Sequence, residues 1–369
     1  MKKRFEMSIP RFEEKLKKRQ EEGILRQLPS SCTGIDFASN DYLGYARSEE
    51  LRERILQKIK YAPIGSTGSR LLTGNSPLAE QLECELADFF GGESALLFNS
   101  GYDLNCGLIS TLVEKEDTVI MDGNVHASLK QGAKLAGAKR FFFRHNDISH
   151  LQKRLEQSRG ITFVVVESIY SMDGDSAPLS RIIDLCEKHN ARLIIDEAHA
   201  VGVAGIEGKG LAADPQWQKN IFARIITFGK ALGVQGAAFI GNKTLKKYLI
   251  NFCNNFIYTT APSYPTLFSI GEAVKLLKEG HNRDKLHANI NFFNRKMNIS
   301  GHRAPVYSFI MDKKYLKKTG NSLKRQGLLV NPIFSPTVQQ GTERLRVCLH
   351  AFNTKEEISF LAQKLKEVL

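Results

Sequence analysis

Lys230 stands in Ile226-Thr227-Phe228-Gly229-Lys230-Ala231-Leu232-Gly233, just past an apolar run and between two glycines. An amine held in a dry cleft gives up its proton more easily than one in water. It then serves as a nucleophile toward a carbonyl and as a base toward a carbon acid. A lone lysine in a turn is ordinarily a solvated surface group, but its company argues for more. Asp196-Glu197-Ala198-His199 closes the preceding apolar run. If the two runs are consecutive parallel strands, both groups reach one carboxyl edge, where open α/β sheets bind ligands. An aspartate there keeps a pyridine nitrogen protonated, which is what makes pyridoxal phosphate an electron sink. His199, on the following loop, reaches a ring hydroxyl. Taken alone, that pair reads as a helix-capping aspartate and a surface histidine.

Three further pieces fall at similar turns. Asn99-Ser100-Gly101-Tyr102-Asp103 reads as a strand-to-helix turn whose glycine lets backbone N–H groups approach a phosphate. His126, in Asn124-Val125-His126-Ala127-Ser128, offers a flat ring for stacking. Ser171, in Ser171-Met172-Asp173-Gly174-Asp175, brings a hydroxyl to the same edge. None of these is specific by itself.

The elements that must position them follow from periodicity. Buried strands are expected at 95–98, Thr162–Glu167, Arg192–Asp196 and 224–228, separated by helix-length segments such as 77–89 and 179–189. Ser76 and Pro77 cap and open the first of these helices. Such alternation argues for an α/β fold with a mostly parallel sheet covered on both faces. An N-terminal helical pattern carries Phe5, Ile9, Phe12, Leu16, Ile24 and Leu25 and ends near Pro29. From about Lys285 the elements shorten to 305–311, 313–326, 328–332, 344–349 and 354–369. We expect an N-terminal helical segment over 1–40, a large domain over 41–283 and a smaller C-terminal α/β domain over 284–369.

The chain has 369 residues, 42% of them apolar and 25% charged, so disorder and a disulfide scaffold are excluded and a large core is available. Six scattered cysteines, at 32, 84, 106, 186, 253 and 348, form no C-x-x-C pair and read as small core residues; no metal site is expected. No apolar run reaches the roughly 18 residues of a membrane span. The basic Met1-Lys2-Lys3-Arg4 start is followed by Glu6, Glu13 and Glu14 and not by an apolar core, so a cytoplasmic protein is expected. The net charge of +13 favours an anionic partner. The lysines come without interleaved stacking aromatics, so nucleic acid is not expected as that partner.

The order of these pieces resembles the α-oxoamine synthase family of fold-type I pyridoxal-phosphate enzymes. Ser-Asn-Asp-Tyr-Leu-Gly at 39–44, Gly-Ser-Thr-Gly-Ser-Arg at 65–70, the block 170–179, Thr-Phe-Gly-Lys at 227–230 and Ile-Tyr-Thr-Thr-Ala-Pro at 257–262 carry the likeness, from about Phe12 to the C-terminus. The resemblance implies that Lys230 binds the cofactor and moves the Cα proton, that Asp196 pairs with the pyridine nitrogen, and that His126 stacks on the ring. Ser171 and His199 would contact the ring oxygen, while Thr227 and the Gly101 and Tyr102 backbone hold the phosphate. Thr260 would reach the phosphate of a neighbouring subunit, because the family builds its sites at a homodimer interface. Arg346 would clamp an amino-acid carboxylate, with Asn40 near it. Arg26 and Thr337 would line the acyl side. The implied reaction is decarboxylative condensation of L-alanine with an acyl thioester carried by coenzyme A or an acyl carrier protein. The alternative within the family uses glycine or serine with a different acyl-CoA. Ala79 and Phe334 replace the histidine and arginine common in relatives, and the segment 30–35 is shorter than the family's usual hairpin. A non-catalytic binding protein is disfavoured by Lys230, Asp196 and His199 together. A nicotinamide enzyme is disfavoured by the lack of G-x-G-x-x-G after the first strand.

Overall fold

The computed structural model describes residues 9–28 and 33–369; the expectations placed on Phe5, Pro29 and Cys32 lie outside them. Seven strands form the central sheet: β1 (Ser94–Phe98), β2 (Thr118–Asp122), β3 (Lys139–Phe143), β4 (Thr162–Glu167), β5 (Arg192–Asp196), β6 (Ile221–Thr227) and β7 (Ala237–Gly241). Their spatial order is β1-β7-β6-β5-β4-β2-β3, and β7 runs against the other strands. Every residue of β4 is buried, which is why Thr-Phe-Val-Val-Val-Glu reads as an apolar run without alternation.

The helices follow the chain around the sheet. After α1 (Pro10–Glu21) and a further helix over Glu49–Ile59 comes α2 (Pro77–Phe90), leading into β1. Then α3 (Gly101–Leu112) follows β1, α4 (Ala127–Leu135) follows β2, α5 (Ile148–Glu156) follows β3 and α6 (Leu179–Lys188) follows β4. Beyond β7 lie α7 (Lys243–Phe252) and α8 (Tyr264–Glu279). Helices α3 to α7 pack into one apolar cluster with the sheet. Helices α2 and α8 belong to a second cluster on the other face, which continues into the C-terminal layer. There α9 (His281–Met297), α10 (Lys313–Arg325) and α11 (Lys355–Lys366) cover a three-stranded antiparallel sheet. Its strands β8 (Val306–Ile310), β9 (Asn331–Ile333) and β10 (Arg344–Cys348) lie in the order β9-β10-β8. Ile35–Asp36 pairs in parallel with Leu328–Leu329, stitching the N-terminal segment to this layer.

Some elements differ from the sequence reading. Strands β2, β3 and β7 were not foreseen. The stretch 328–332 is two short strands broken at Val330. Helix α1 stops before Ile24 and Leu25, because Gly23 takes φ +69° and ends it. None of its residues is buried, with Phe12 and Leu16 about half exposed.

Candidate active site

The carboxyl ends of β1, β4, β5 and β6 open on one cavity of about 320 Å³. Asn40, Gly101, Tyr102, His126, Asp196, His199, Thr227 and Lys230 all line it. Each arrives by a local rule. Ser100 caps α3 by accepting from the Asp103 N–H at 3.1 Å, so the first turn of the helix faces the cavity. A Cβ at Gly101 would stand 2.5 Å from Thr227 Cγ2, so only glycine lets the helix start press against the end of β6. Asp196 is the last residue of β5; its carboxylate accepts from Asn105 Nδ2 and from the Ala198 N–H, each at 2.9 Å.

Asn105 also donates to Ser128 Oγ at 2.9 Å, and Ser128 Oγ lies 2.7 Å from His126 Nδ1. That hydroxyl is acceptor to the amide, so its proton goes to the ring. The Ser128 N–H points at the same nitrogen. Two donors on Nδ1 leave the His126 proton on Nε2. Partial desolvation, and then Lys230, hold His126 below the ordinary histidine range. Burial pushes His199 much further down, with Lys230 and Arg346 adding to the effect. Tyr42 OH lies 2.7 Å from His199 Nδ1 and 3.1 Å from Asn40 Oδ1. Asn40 Oδ1 can only accept, so the single Tyr42 proton goes there; the Tyr42 oxygen accepts from His199 Nδ1–H, and His199 Nε2 faces the cavity as an acceptor. Desolvation lowers Lys230 against the opposing pull of Asp196 and Glu167, which favours the neutral amine.

Beside the cavity, Arg346 donates from Nε to the Ser171 carbonyl at 2.8 Å and from Nη2 to Asn40 Oδ1 at 2.9 Å. Ser171 takes part through its main chain, its N–H donating to Glu167 Oε2 at 3.2 Å, and it is not among the cavity-lining residues. Thr260 is exposed outside the cavity, and its carbonyl accepts from Asn99 Nδ2 at 2.9 Å. Arg26 and Thr337 meet at 3.3 Å on the exposed surface and do not line it.

Glu167, Asn105, Ser128 and Tyr42 were given no role by the sequence reading. Glu167 had a legible signal, being a carboxylate at the end of an apolar strand as Asp196 is. Burial first, and the Asp196 charge second, push it up to about 8. Among the described residues no group of ligands able to hold a metal is found.

The residues fit pyridoxal phosphate. Among the described residues Thr227 Oγ1 is buried without a partner at the helix start, which is where a phosphate would be held. The Asp196 carboxylate and the His126 ring supply the remaining fittings. Residues 33–365 match the aminotransferase class I and II family. The chain belongs to that family. Among curated members, 8-amino-7-oxononanoate synthase of Emericella nidulans is 37% identical over 96% of this chain and 93% of its own. The Vibrio vulnificus enzyme of that name is 34% identical, covering 97% of each. Among solved members, serine palmitoyltransferase of Sphingomonas wittichii superposes with a TM-score of 0.87 at 26% identity, over 97% of this chain and 96% of that one. The 8-amino-7-oxononanoate synthase of Francisella tularensis gives 0.78 at 28%, over 90% and 98%.

Proposed function

We propose that this chain is an 8-amino-7-oxononanoate synthase of biotin biosynthesis. It would condense L-alanine with a pimeloyl thioester of coenzyme A or acyl carrier protein, releasing CO2 and the free thiol. The observation that carries the reading is one cavity in which a desolvated lysine faces Asp196, with an arginine clamp at its edge. The names of the curated relatives give the product, and the resemblance to the α-oxoamine synthases implies L-alanine and the acyl thioester as its precursors. We place the protein in the cytoplasm as a homodimer, with Thr260 extending toward the neighbouring subunit's site.

Thr227 Oγ1 and the first N–H groups of α3 would hold the cofactor phosphate, Asp196 its ring nitrogen, His126 its ring face and His199 its ring oxygen. When bound, pyridoxal phosphate supplies an electron sink that acidifies the Cα–H bond and makes the carboxylate labile. Arg346 keeps donors beyond those given to Ser171 and Asn40, and these grip the alanine carboxylate. The neutral Lys230 amine takes the Cα proton and later returns one. The hydrogen bonds from Asn105 and Ala198 hold the Asp196 carboxylate in one orientation during the reaction.

The likeness to serine palmitoyltransferase keeps a second reading, a synthase acting on serine or glycine with another acyl-CoA. Mass spectrometry of products from pimeloyl-CoA with alanine, glycine or serine separates them. We expect the aminoketone from alanine alone. Product from serine with a long-chain acyl-CoA, and none from alanine, would replace the proposal with the second reading.

A further inference from the structure

A cleft outside the active site lies between the central sheet's loops and the C-terminal layer, with a volume of about 810 Å³. That is within the range of small-molecule sites. Ile169, Leu179, Val203, Leu211 and Trp217 give it an apolar wall. Arg283 and His287 enter it from the first two turns of α9, and Arg303 from the loop beyond that helix. Among the described residues, Arg283 Nη1 is buried and has no hydrogen-bond partner. A buried guanidinium donor left unmet is costly and asks for an acceptor.

Among the described residues none is bonded to that donor. Asp175 is the one carboxylate lining the wall; its Oδ2 is taken by His145 at 2.8 Å and Asn146 at 2.7 Å, and its Oδ1 is buried without a partner. Glu207, in the turn after Gly205, and Glu279, the last residue of α8, are paired with Lys209 and Arg54. His302, also in the wall, is turned to the Val306 carbonyl at 2.8 Å. Arg283 and Arg303 put positive charge at one end of the cleft, with an apolar body beside it.

We propose that this cleft is a second binding site, for a carboxylate with a medium-length aliphatic body. The carboxylate would meet Arg283, with Arg303 at the rim, and the chain would lie along Trp217 and Leu211. The wall shares the hairpin bridged at Ile169 and Ser176 that also carries Ser171, to which Arg346 is bonded. A ligand here thus lies one hairpin away from the substrate clamp.

Trp217 is the chain's single tryptophan, so its emission reports on this cleft. The test is fluorescence titration of the purified holoenzyme with octanoate, and with octanol as the uncharged control. We expect a saturable change with octanoate, absent with octanol. We expect the dissociation constant to rise about tenfold in Arg283→Gln, the usual loss of a charge-assisted hydrogen bond. The exposed Arg303→Gln, which puts no buried group at risk, should weaken binding several-fold. Arg346→Gln, at the active cavity, should leave the titration unchanged. The proposal is overturned by no saturable change, by an equal response to octanol, by unaltered affinity in both cleft variants, or by loss of the response in Arg346→Gln.

Discussion

Desolvation accounts for the lowered proton affinity of Lys230, prevailing over the opposing pull of Asp196 and Glu167. Replacing Lys230 by alanine should abolish turnover while circular dichroism and the melting curve stay close to wild type, because among the described residues its side chain makes no hydrogen bond. Product above background would remove it from the chemistry. Asp196→Asn keeps the shape but puts an NH2 where Asn105 or Ala198 already donates. We expect turnover to fall by about two orders of magnitude or more, as the ring nitrogen loses its anion. A variant within threefold of wild type would assign Asp196 elsewhere. Glu167 gives a pH test in the cofactor-free protein. Its folded value of about 8 exceeds the ordinary glutamate value of 4.5. The folded state therefore binds the extra proton between these values, and the stability it brings is full below about 4.5 and lost as pH rises to about 8. Urea unfolding at pH 5 and pH 8 should show wild type losing stability relative to Glu167→Gln. Parallel curves would mean that Glu167 is ionised throughout.

At the level of elements, the site is made by a helix start pressed against a strand end. Gly101→Ala should force α3 away from Thr227, since the added Cβ would come within 2.5 Å of its Cγ2. We expect pyridoxal-phosphate affinity, read by absorbance titration, to fall about tenfold with little change in secondary structure. Unchanged affinity would mean that the phosphate is not held at this junction. The same junction explains what could be read in advance. Strands β4 and β5 were legible because apolar runs end in a carboxylate, and both termini then mark the ligand edge. Strand β3 was not, because Lys-Arg-Phe-Phe-Phe lies at the sheet edge with its first two residues exposed. Strand β7 hid behind the loop 228–236, whose left-handed Gly233 and Gly236 turn the chain back against β6. In the site, Lys230, Asp196 and His199 were legible from residue type at a strand end. The Asn105–Ser128–His126 relay was not, because it joins two helices whose approach is a tertiary fact. Ser171 was read by its hydroxyl, whereas it is the main chain that the structure shows bonded to Glu167 and Arg346.

Over the whole molecule the net charge is +13, and the fold gathers part of it. The run Lys15, Lys17, Lys18 and Arg19 ends α1. Just beyond it, Gly23 lies beside the Lys317 ammonium of α10, which also carries Lys313, Lys314 and Lys318. Arg26 reaches Thr337 next to this region, so two basic runs converge on the surface proposed for the acyl donor. Both carriers of that donor, coenzyme A and an acyl carrier protein, are anionic. Exposed lysines act on such a partner at long range, through encounter and not through fixed contacts, and salt screens that action beyond about 8–10 Å. Alanine is instead proposed to meet Arg346, a buried group already fixed by two hydrogen bonds, where added salt has little access. Raising ionic strength from roughly 0.05 to 0.5 M should therefore lower kcat/KM for the thioester several-fold and leave that for alanine nearly constant. Charge reversal at Lys314 and Lys318 should flatten the salt response without changing the alanine parameter. Equal sensitivity for both substrates, or none, would assign the positive surface to solubility and leave the acyl donor to be recognised by the cavity alone.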